Sequence, residues 1–379
     1  MPYTTPTVNY CATVNGTYTT LTGVQTVAIN RGRDYFQDNF KASSCVIELI
    51  PATSYALPLA IGQFIDVRDT NSATSRSYFT GKITDVKRDY AIPYNSGTNY
   101  APGDRITIAA TGATGLLAQN TIATSPAFVF TDCVLQAVET AFSAGLNYSS
   151  SVAQTVNSSL TTYPVQSGLD ICNQLARTNQ FTIDDYDINR TAVYGPAMVA
   201  FYNKQQITKT FTDTGAGVKY NGLAFQSSAQ STFNKANVLA VGLAPQVSQA
   251  ASGPYNSLDY NTYNKTTADA LTLANYLYAL FNSSTQVAPF QLTTTTVVDS
   301  SCLDVATCVS TTGEYTWLGA GITVTFRGSS YLAAIQQIST TFYPDYAQVQ
   351  LTLSPSLGVA FTLNNATFGI LDSNRLGYP

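Results

Sequence analysis

The chain has 379 residues, 45% of them hydrophobic and only 11% charged, with a formal net charge of −4. That length exceeds one small core and implies two to four domains, since a domain usually holds about 100–200 residues. Lys and Arg are scattered singly, which argues against a phosphate-neutralising patch, and no apolar run reaches the roughly 18 residues of a membrane-spanning helix.

Charge well below the roughly 25% of an average soluble domain leaves solubility to Ser, Thr, Asn, Gln and Tyr. Such a surface can be covered by a partner without stranding charges, and Tyr, present 25 times, is enriched at interfaces. The composition therefore points to a subunit of an assembly, with a secreted protein as the alternative. The start, MPYTTPTVNY, carries neither the basic nor the apolar region of an export signal.

Residues 1–110 read as strands. VQTVAIN, SCVIELI, GQFIDVRD, RSYFTGKITDVKRDY and DRITIAA alternate apolar and polar positions and are separated by turn-forming stretches, so a small antiparallel barrel or sandwich is expected. At the end of the first long strand stands NRGRDYFQDNF. Arg31 and Arg33, two apart, would share a strand face. Gly32 marks a close backbone approach or a bend, and Asp34 and Asp38 are near enough to be partners. Arg31, Gly32, Arg33 and Asp34 are the candidate interface residues, with the arginines tying the first barrel to a neighbouring element or subunit through bidentate hydrogen bonds.

From 111 to 235 the period changes. Val134, Leu135, Val138 and Phe142 recur at helical spacing, with Thr131 or Asp132 as N-cap and Gly145 as stop; Leu169, Cys172, Leu175 and Ala176 repeat the pattern after Ser167. The polar stretch between them reads as a loop, and QFTIDDYDINRTAVYGP with AMVAFYN as a hairpin. The spacing of Asp185, Asp187 and Asn189 matches the first calcium ligands of a D-x-D-x-N loop. Arg190 stands where glycine is required, however, and Pro196 where glutamate is required, so an acidic turn is the better reading. TGATGLLA and GAGVK match no phosphate-binding pattern and read as flexible loops.

Residues 236–379 return to strands (FQLTTTTVV, GITVTFRG, YLAAIQQIST, AQVQLTLS, GVAFTLN) around one helix at about 267–282. Leu271, Ala274, Leu277, Tyr278 and Phe281 form its apolar face, and Thr266 and Asp269 are spaced as a capping box. Gly62, Ile65 and Val67 share their offsets with Gly319, Ile322 and Val324. Both stretches continue through an aromatic pair or Tyr-Leu into spaced apolar residues, Ile83 and Val86 in one, Ile335 and Ile338 in the other. Two copies of one barrel would explain the echo.

The fold class is therefore mainly β with an α+β insertion: two similar small β-barrel domains, 1–110 and 236–379, plus a helical and hairpin module, 111–235. The absence of histidine removes Ser-His-Asp and Cys-His nucleophile systems, His-ligated zinc and the usual neutral-pH proton shuttle. Only Glu48, Glu139 and Glu314 could join an aspartate as paired glycosidase carboxylates. No catalytic residue, metal or cofactor is assigned. Cys302 and Cys308 could close a short disulfide loop in an oxidising setting, while Cys11, Cys45, Cys133 and Cys172 read as buried thiols.

Taken in order, these motifs resemble the minor tail proteins of long-tailed bacteriophages, the tail-tip or baseplate hub family. VAINRGRDYFQDNFKASSCVIELIP resembles the family's opening pattern, GQFIDV with YFTGKITDV its next strands, SGLDICNQLARTNQFTIDDYDINRTAVYG its helix and hairpin, and the close FGILDSNRLG its ending. The resemblance implies a virion tail-tip protein made in the host cytoplasm and assembled as a homotrimer whose six barrels adapt to a six-fold tube. Its partners would be a distal tail protein or tail tube ring, a tape measure protein and a central tip or fibre protein, with DNA transiting without specific binding. A hexameric distal tail adaptor and a carbohydrate-binding β protein are the alternatives, the latter with Trp317 as the only tryptophan.

Overall fold

The computed structural model describes residues 5–11, 17–51, 59–69, 77–90, 104–122, 127–150, 152, 156–162, 164–186, 198–203, 206–226, 233–282, 288–296, 303, 305 and 317–356. Cys302, Cys308, Asp187, Asn189, Arg190, Pro196 and the closing motif lie outside them.

The strands β1 (Thr7–Cys11), β2 (Thr19–Thr20), β3 (Val24–Gly32), β4 (Ser44–Leu49), β5 (Phe64–Arg68), β6 (Ser77–Asp89) and β7 (Arg105–Thr111) form the first half of a large sheet. A second set belongs to the same sheet: β11 (Gln206–Thr212), β12 (Val218–Lys219), β13 (Gly222–Gln226), β17 (Ala288–Thr296), β18 (Gly321–Phe326), β19 (Ser329–Phe342) and β20 (Ala347–Pro355). The two halves join where β3 pairs antiparallel with the far end of β19, from Val27 opposite Phe342 to Gly32 opposite Gln337. Alternation in β3 and β4 puts Val27, Ile29, Cys45, Ile47 and Leu49 into one core shared with Ile338, Phe342, Val349 and Leu351.

The halves repeat one another. Strands run β5-β6-β7-β4-β3 in the first and β18-β19-β20-β17-β13 in the second, every neighbour antiparallel. At the entry to each hairpin a glycine N–H donates to an isoleucine carbonyl, Gly62 to Ile83 and Gly319 to Ile335, both at 2.8 Å, and each isoleucine N–H donates back, to Gln63 and Ala320. Both glycines have positive φ, +88° and +78°. A bulge follows each isoleucine, at Thr84 and at Gln336. Following the pairings across the sheet matches Val86 with Ile338, Ile108 with Leu351, Ile47 with Leu292, and Val27 with Leu223. The outermost strands differ: β1 lies antiparallel to β5, whereas β11 lies parallel to β18.

Between the halves lie α1 (Ala113–Gln119), α2 (Cys133–Ser143), β8 (Asn147–Ser150), α3 (Gly168–Asn179), β9 (Phe181–Tyr186) and β10 (Met198–Asn203), the last two antiparallel and β8 parallel to β10. Within the second half, between β13 and β17, is a separate unit: β14 (Lys235–Ala240), β15 (Gln246–Gln249), β16 (Ser257–Thr262) and α4 (Thr267–Phe281), with its own core. Sheet membership thus crosses the boundary expected at 235: β11–β13 belong with the second half of the large sheet, and β14–β16 with α4 do not.

Four local expectations are corrected. TGATGLLA is not a loop; it forms α1, because a carboxylate from β9 caps a helix whose own N-cap, Gly112, has no side chain. The NYSS stretch expected in a loop is strand β8. On α2, Leu135 and Phe142 face outward, Phe142 72% exposed, because the small residues Cys133, Ala137 and Ala141 permit the close approach. On α4, Leu271 is likewise on the outside, while Leu273, Tyr276 and Leu280 enter the core. The anticipated caps Asp132, Ser167 and Thr266 accept hydrogen bonds from the first turns of their helices.

Candidate functional site: the arginine joint

The segment from Arg31 to Phe40 meets every other body of the protein. Strand β3 ends at Gly32, whose φ of +107° an L side chain rarely adopts. A Cβ there would collide with the Gln336 carbonyl oxygen and lie 2.7 Å from Leu318 Cδ1 and 2.9 Å from Gln337 Cα. Glycine is thus required by both the conformation and the closeness of the second half.

Arg31 is among the largest fully buried side chains. Its Nη1 donates to Asp184 Oδ1 and to the Asp185 carbonyl, both at 3.3 Å, and its Nη2 donates to the Tyr78 carbonyl at 2.7 Å. The Asp185 Oδ2 lies 4.0 Å from Nη1. Both amino groups donate, and their acceptors stand on different elements. The cation therefore locks β3 and β6 to β9. Burial pushes Asp184 up to about 7, against the attraction of Arg31, with Asp185 adding to the rise.

Asp185 stands next to the cation but serves the backbone. Its Oδ1 accepts from Thr114 N at 2.7 Å, in the first turn of α1, and its Oδ2 accepts from Ser43 Oγ. The carboxylate suspected of ligating calcium is thus turned inward onto a helix start. Among the described residues no group of three or more His, Cys, Asp or Glu is gathered to hold a metal.

Arg33 leaves in another direction. Its backbone N–H donates to the Gln336 carbonyl and its Nε to Gln336 Oε1, both at 2.8 Å, while Gln336 Nε2 donates to Ser354 Oγ. The guanidinium stacks over Phe40 at 4.5 Å and Phe36 at 5.0 Å. Burial chiefly lowers Arg33 to about 10, so it remains a cation at neutral pH. The positive φ of Gly32 between the two arginines ends the strand alternation, so they do not act on one face.

The aspartates of the turn have other tasks. Asp34 pairs with Lys41 at the surface, where such a pair adds little. Asp38 meets Arg33 through its main-chain oxygen, at 3.4 Å, and its carboxylate accepts from Tyr35 N. Phe36 enters the core of the α4 unit beside Phe281 and Tyr276, ring centroids 5.6 and 6.4 Å away. Asn173 of α3 clasps the Phe40 backbone at both its N–H (2.8 Å) and its carbonyl (3.1 Å), and Arg177 donates to the Gln37 carbonyl. Sequence reasoning missed Gln336, Asn173, Asp184 and Phe36. Only Gln336 left a signal, the break in alternation of Ile335-Gln-Gln-Ile338.

No protein-family model and no curated protein matches the sequence. Solved structures do match, over nearly all of both chains. The 43 kDa tail protein of prophage MuSo2 from Shewanella oneidensis superposes with a TM-score of 0.57 at 13% identity, covering 91% of this chain and 97% of that one. A tail protein from Neisseria meningitidis gives 0.58 at 11% identity, with 93% and 97% covered. The chain has a phage tail-protein fold. A prophage tail protein from Listeria monocytogenes shares it, with a TM-score of 0.52, 11% identity, and 91% and 94% covered. In this tail-protein fold the joint holds both halves of the large sheet, the α3–β9 layer and the α4 unit in one arrangement. Its chemistry is cohesive: guanidiniums, carboxylates, amides and aromatic rings that meet one another within the chain. No helix among the described residues is long and apolar enough to cross a membrane.

Proposed function

We propose that the chain is a structural protein of a phage tail, a baseplate hub that assembles as a homotrimeric ring, adapts a six-fold tail tube to the distal tip and lets DNA pass. The observation that carries this reading is the internal repeat: two five-stranded units of the same order, hairpin entry and bulge in one tail-protein fold. A chain with two equivalent units presents six to its surroundings as a trimer, the number a six-fold tube requires. Its sparse Lys and Arg suit a lumen through which DNA slides, because few cations means little counterion-release binding. The reading places the ring in the virion tail, against a distal tail protein or tube ring, a tape measure protein and a central tip or fibre protein, and it asks for no catalytic residue or cofactor.

Native mass spectrometry of the purified chain, with electron microscopy of tail particles, tests this. Three copies in a ring at the tip are expected. Six copies would assign the chain to the distal tail adaptor instead, and a monomer in every condition, with no tail particle containing it, refutes the assembly.

A further inference from the structure

The stretch that leads from β16 into α4 carries a buried side chain whose polar atoms are both orphaned. Asn264 is 0% exposed, and neither its Oδ1 nor its Nδ2 meets a hydrogen-bond partner among the described residues. A buried amide in that state has given up its bonds to solvent without replacement, and native proteins satisfy nearly all such groups with protein or ordered water.

Its neighbours on the same face share this character. Burial alternates along Leu258, Tyr260, Thr262 and Asn264, so Thr262 and Asn264 point the same way. Thr262 is buried, and its Oγ1 is also without a partner among the described residues. Asn264 forms an antiparallel bridge with Ser158, likewise buried, which sets the two side chains beside each other. Ser158 Oγ accepts from Leu160 N at 2.9 Å, and its hydroxyl hydrogen is left to donate.

The backbone around these three side chains is fixed. Ser158 N donates to the Thr131 carbonyl and Ser159 N to the Tyr263 carbonyl, both at 2.7 Å, while Cys133 N donates to Val156 O at 3.0 Å and Lys265 N to Asn157 O at 3.2 Å. The approach to α2, the stretch 156–159 and the approach to α4 thus lie side by side as a short seam. On α3, Thr178 Oγ1 accepts from Tyr263 N at 2.9 Å. The orphaned amide therefore sits where the α4 unit is fastened to the α2–α3 layer.

We propose that Ser158, Thr262 and Asn264 form a binding site for an internal water molecule, which bridges the Asn264 amide to the two hydroxyls and ties the α4 unit to the α2–α3 layer. Alternate residues of a strand stand about 6–7 Å apart, too far for a direct bond between short side chains. That gap matches the span of two hydrogen bonds of ~2.8 Å through a shared oxygen. A buried water makes about three hydrogen bonds, and three polar side chains are present to receive them. The ligand is neutral: the amide nitrogen offers a donor, which a cation does not accept, and the set holds no carboxylate of the kind that binds calcium. The carboxylates at the adjoining helix starts are already committed, Asp132 to Val134 N and Leu135 N, and Asp269 to Thr266 Oγ1.

The test uses the full-length chain. A crystal structure that shows ordered water should place one within about 2.7–3.2 Å of the Asn264 amide and of at least one of the two hydroxyls. In solution, oxygen-17 relaxation dispersion should count one long-lived internal water fewer in Asn264→Leu than in wild type. Thr262→Val, the milder change, should shorten the residence of that water, and circular dichroism confirms that each variant folds. Equal water counts and residence times in wild type and both variants overturn the site. So does a dry amide in the crystal together with a higher melting temperature for Asn264→Leu, since carbon would then replace a group that nothing satisfied. An amide bonded directly to protein, or density that only a metal ion explains, overturns it as well. None of these readouts depends on copy number, so the site stands or falls apart from the ring reading.

Discussion

Replacing Arg31 by alanine isolates what the joint contributes to stability. The substitution removes a fully buried cation from Asp184 at 3.3 Å and strips the donors from the Tyr78 and Asp185 carbonyls. Deleting one partner of a buried pair costs about 3–5 kcal/mol, because the remaining charge stays in a poor solvent. Against a total of roughly 5–15 kcal/mol that is a large share. Asp184 can escape part of the cost by taking up a proton, and it already sits at about 7 with Arg31 present. Without the cation its value rises further, so between pH 7 and that new value the variant holds a proton that the wild type has released. Stability of the variant relative to wild type therefore falls as pH rises through that window. Urea unfolding at pH 6 and pH 8, followed by the fluorescence of buried Trp317 on the second half, reads the difference. A loss of ~1 kcal/mol or less at pH 8, or a greater loss at pH 6 than at pH 8, would refute the account of the joint.

Other perturbations follow from the same geometry. Asp184→Asn copies the protonated state. Its ordinary value of 3.8 is raised to about 7 on folding, so wild-type stability should decline as pH rises from about 4 through 7, and the variant should show a shallower decline in denaturant titrations; an unchanged slope would contradict this, even though buried Asp66, also raised by desolvation, titrates in the same direction. Gly32→Ala should abolish soluble protein, whereas Gly62→Ala, with positive φ but no atom within 4 Å of the new Cβ, should lose only about 1–2 kcal/mol by thermal melting. Phe36→Ala should cost about 3–5 kcal/mol and expose residues 233–282 to limited proteolysis ahead of the large sheet. Cys45, Cys133 and Cys172, whose thiols burial drives well above the usual range, should react with a thiol reagent only after denaturation.

The sequence and the structure agree most where physics is local. Alternation placed β3–β7 and β18–β20, and Asp132, Ser167 and Thr266 announced their helices by capping chemistry. The echo of Gly62 and Gly319 was legible because each glycine occupies a positive φ at a hairpin entry, and the three-residue spacings Ile83 to Val86 and Ile335 to Ile338 are the trace of the two bulges. Among the long-range partners of the joint only Gln336 left a mark, the break in alternation between Ile335 and Ile338. Asp184, the carboxylate that accepts from Arg31, lies 153 residues away, and Gln336, which accepts from Arg33, 303 residues away. Alternation predicted a shared face for the two arginines and could not register the turn that Gly32 imposes. Helix α1 was unreadable for a similar reason, its cap being supplied from β9. Of the apolar face expected on α2, Val134 and Val138 do pack inward, while Leu135 and Phe142 were misread because periodicity cannot tell a helix packed through alanine and cysteine from one packed through leucine and phenylalanine.

The pairing of β3 with β19 also sets a timetable for synthesis. Gly32 is made roughly 300 residues before its partner Gln337. At a ribosomal pace of about 5–20 residues per second, β3 waits some tens of seconds with one edge unmatched. An alternating apolar strand in that state invites pairing with other nascent chains. Two guanidiniums flanking a glycine at its end are poor material for such an encounter, since a stray partner would have to bury both charges without the aspartates and the glutamine that receive them in the finished fold. The same side chains that later close the joint thus act first as gatekeepers, keeping the strand available until its own partner emerges.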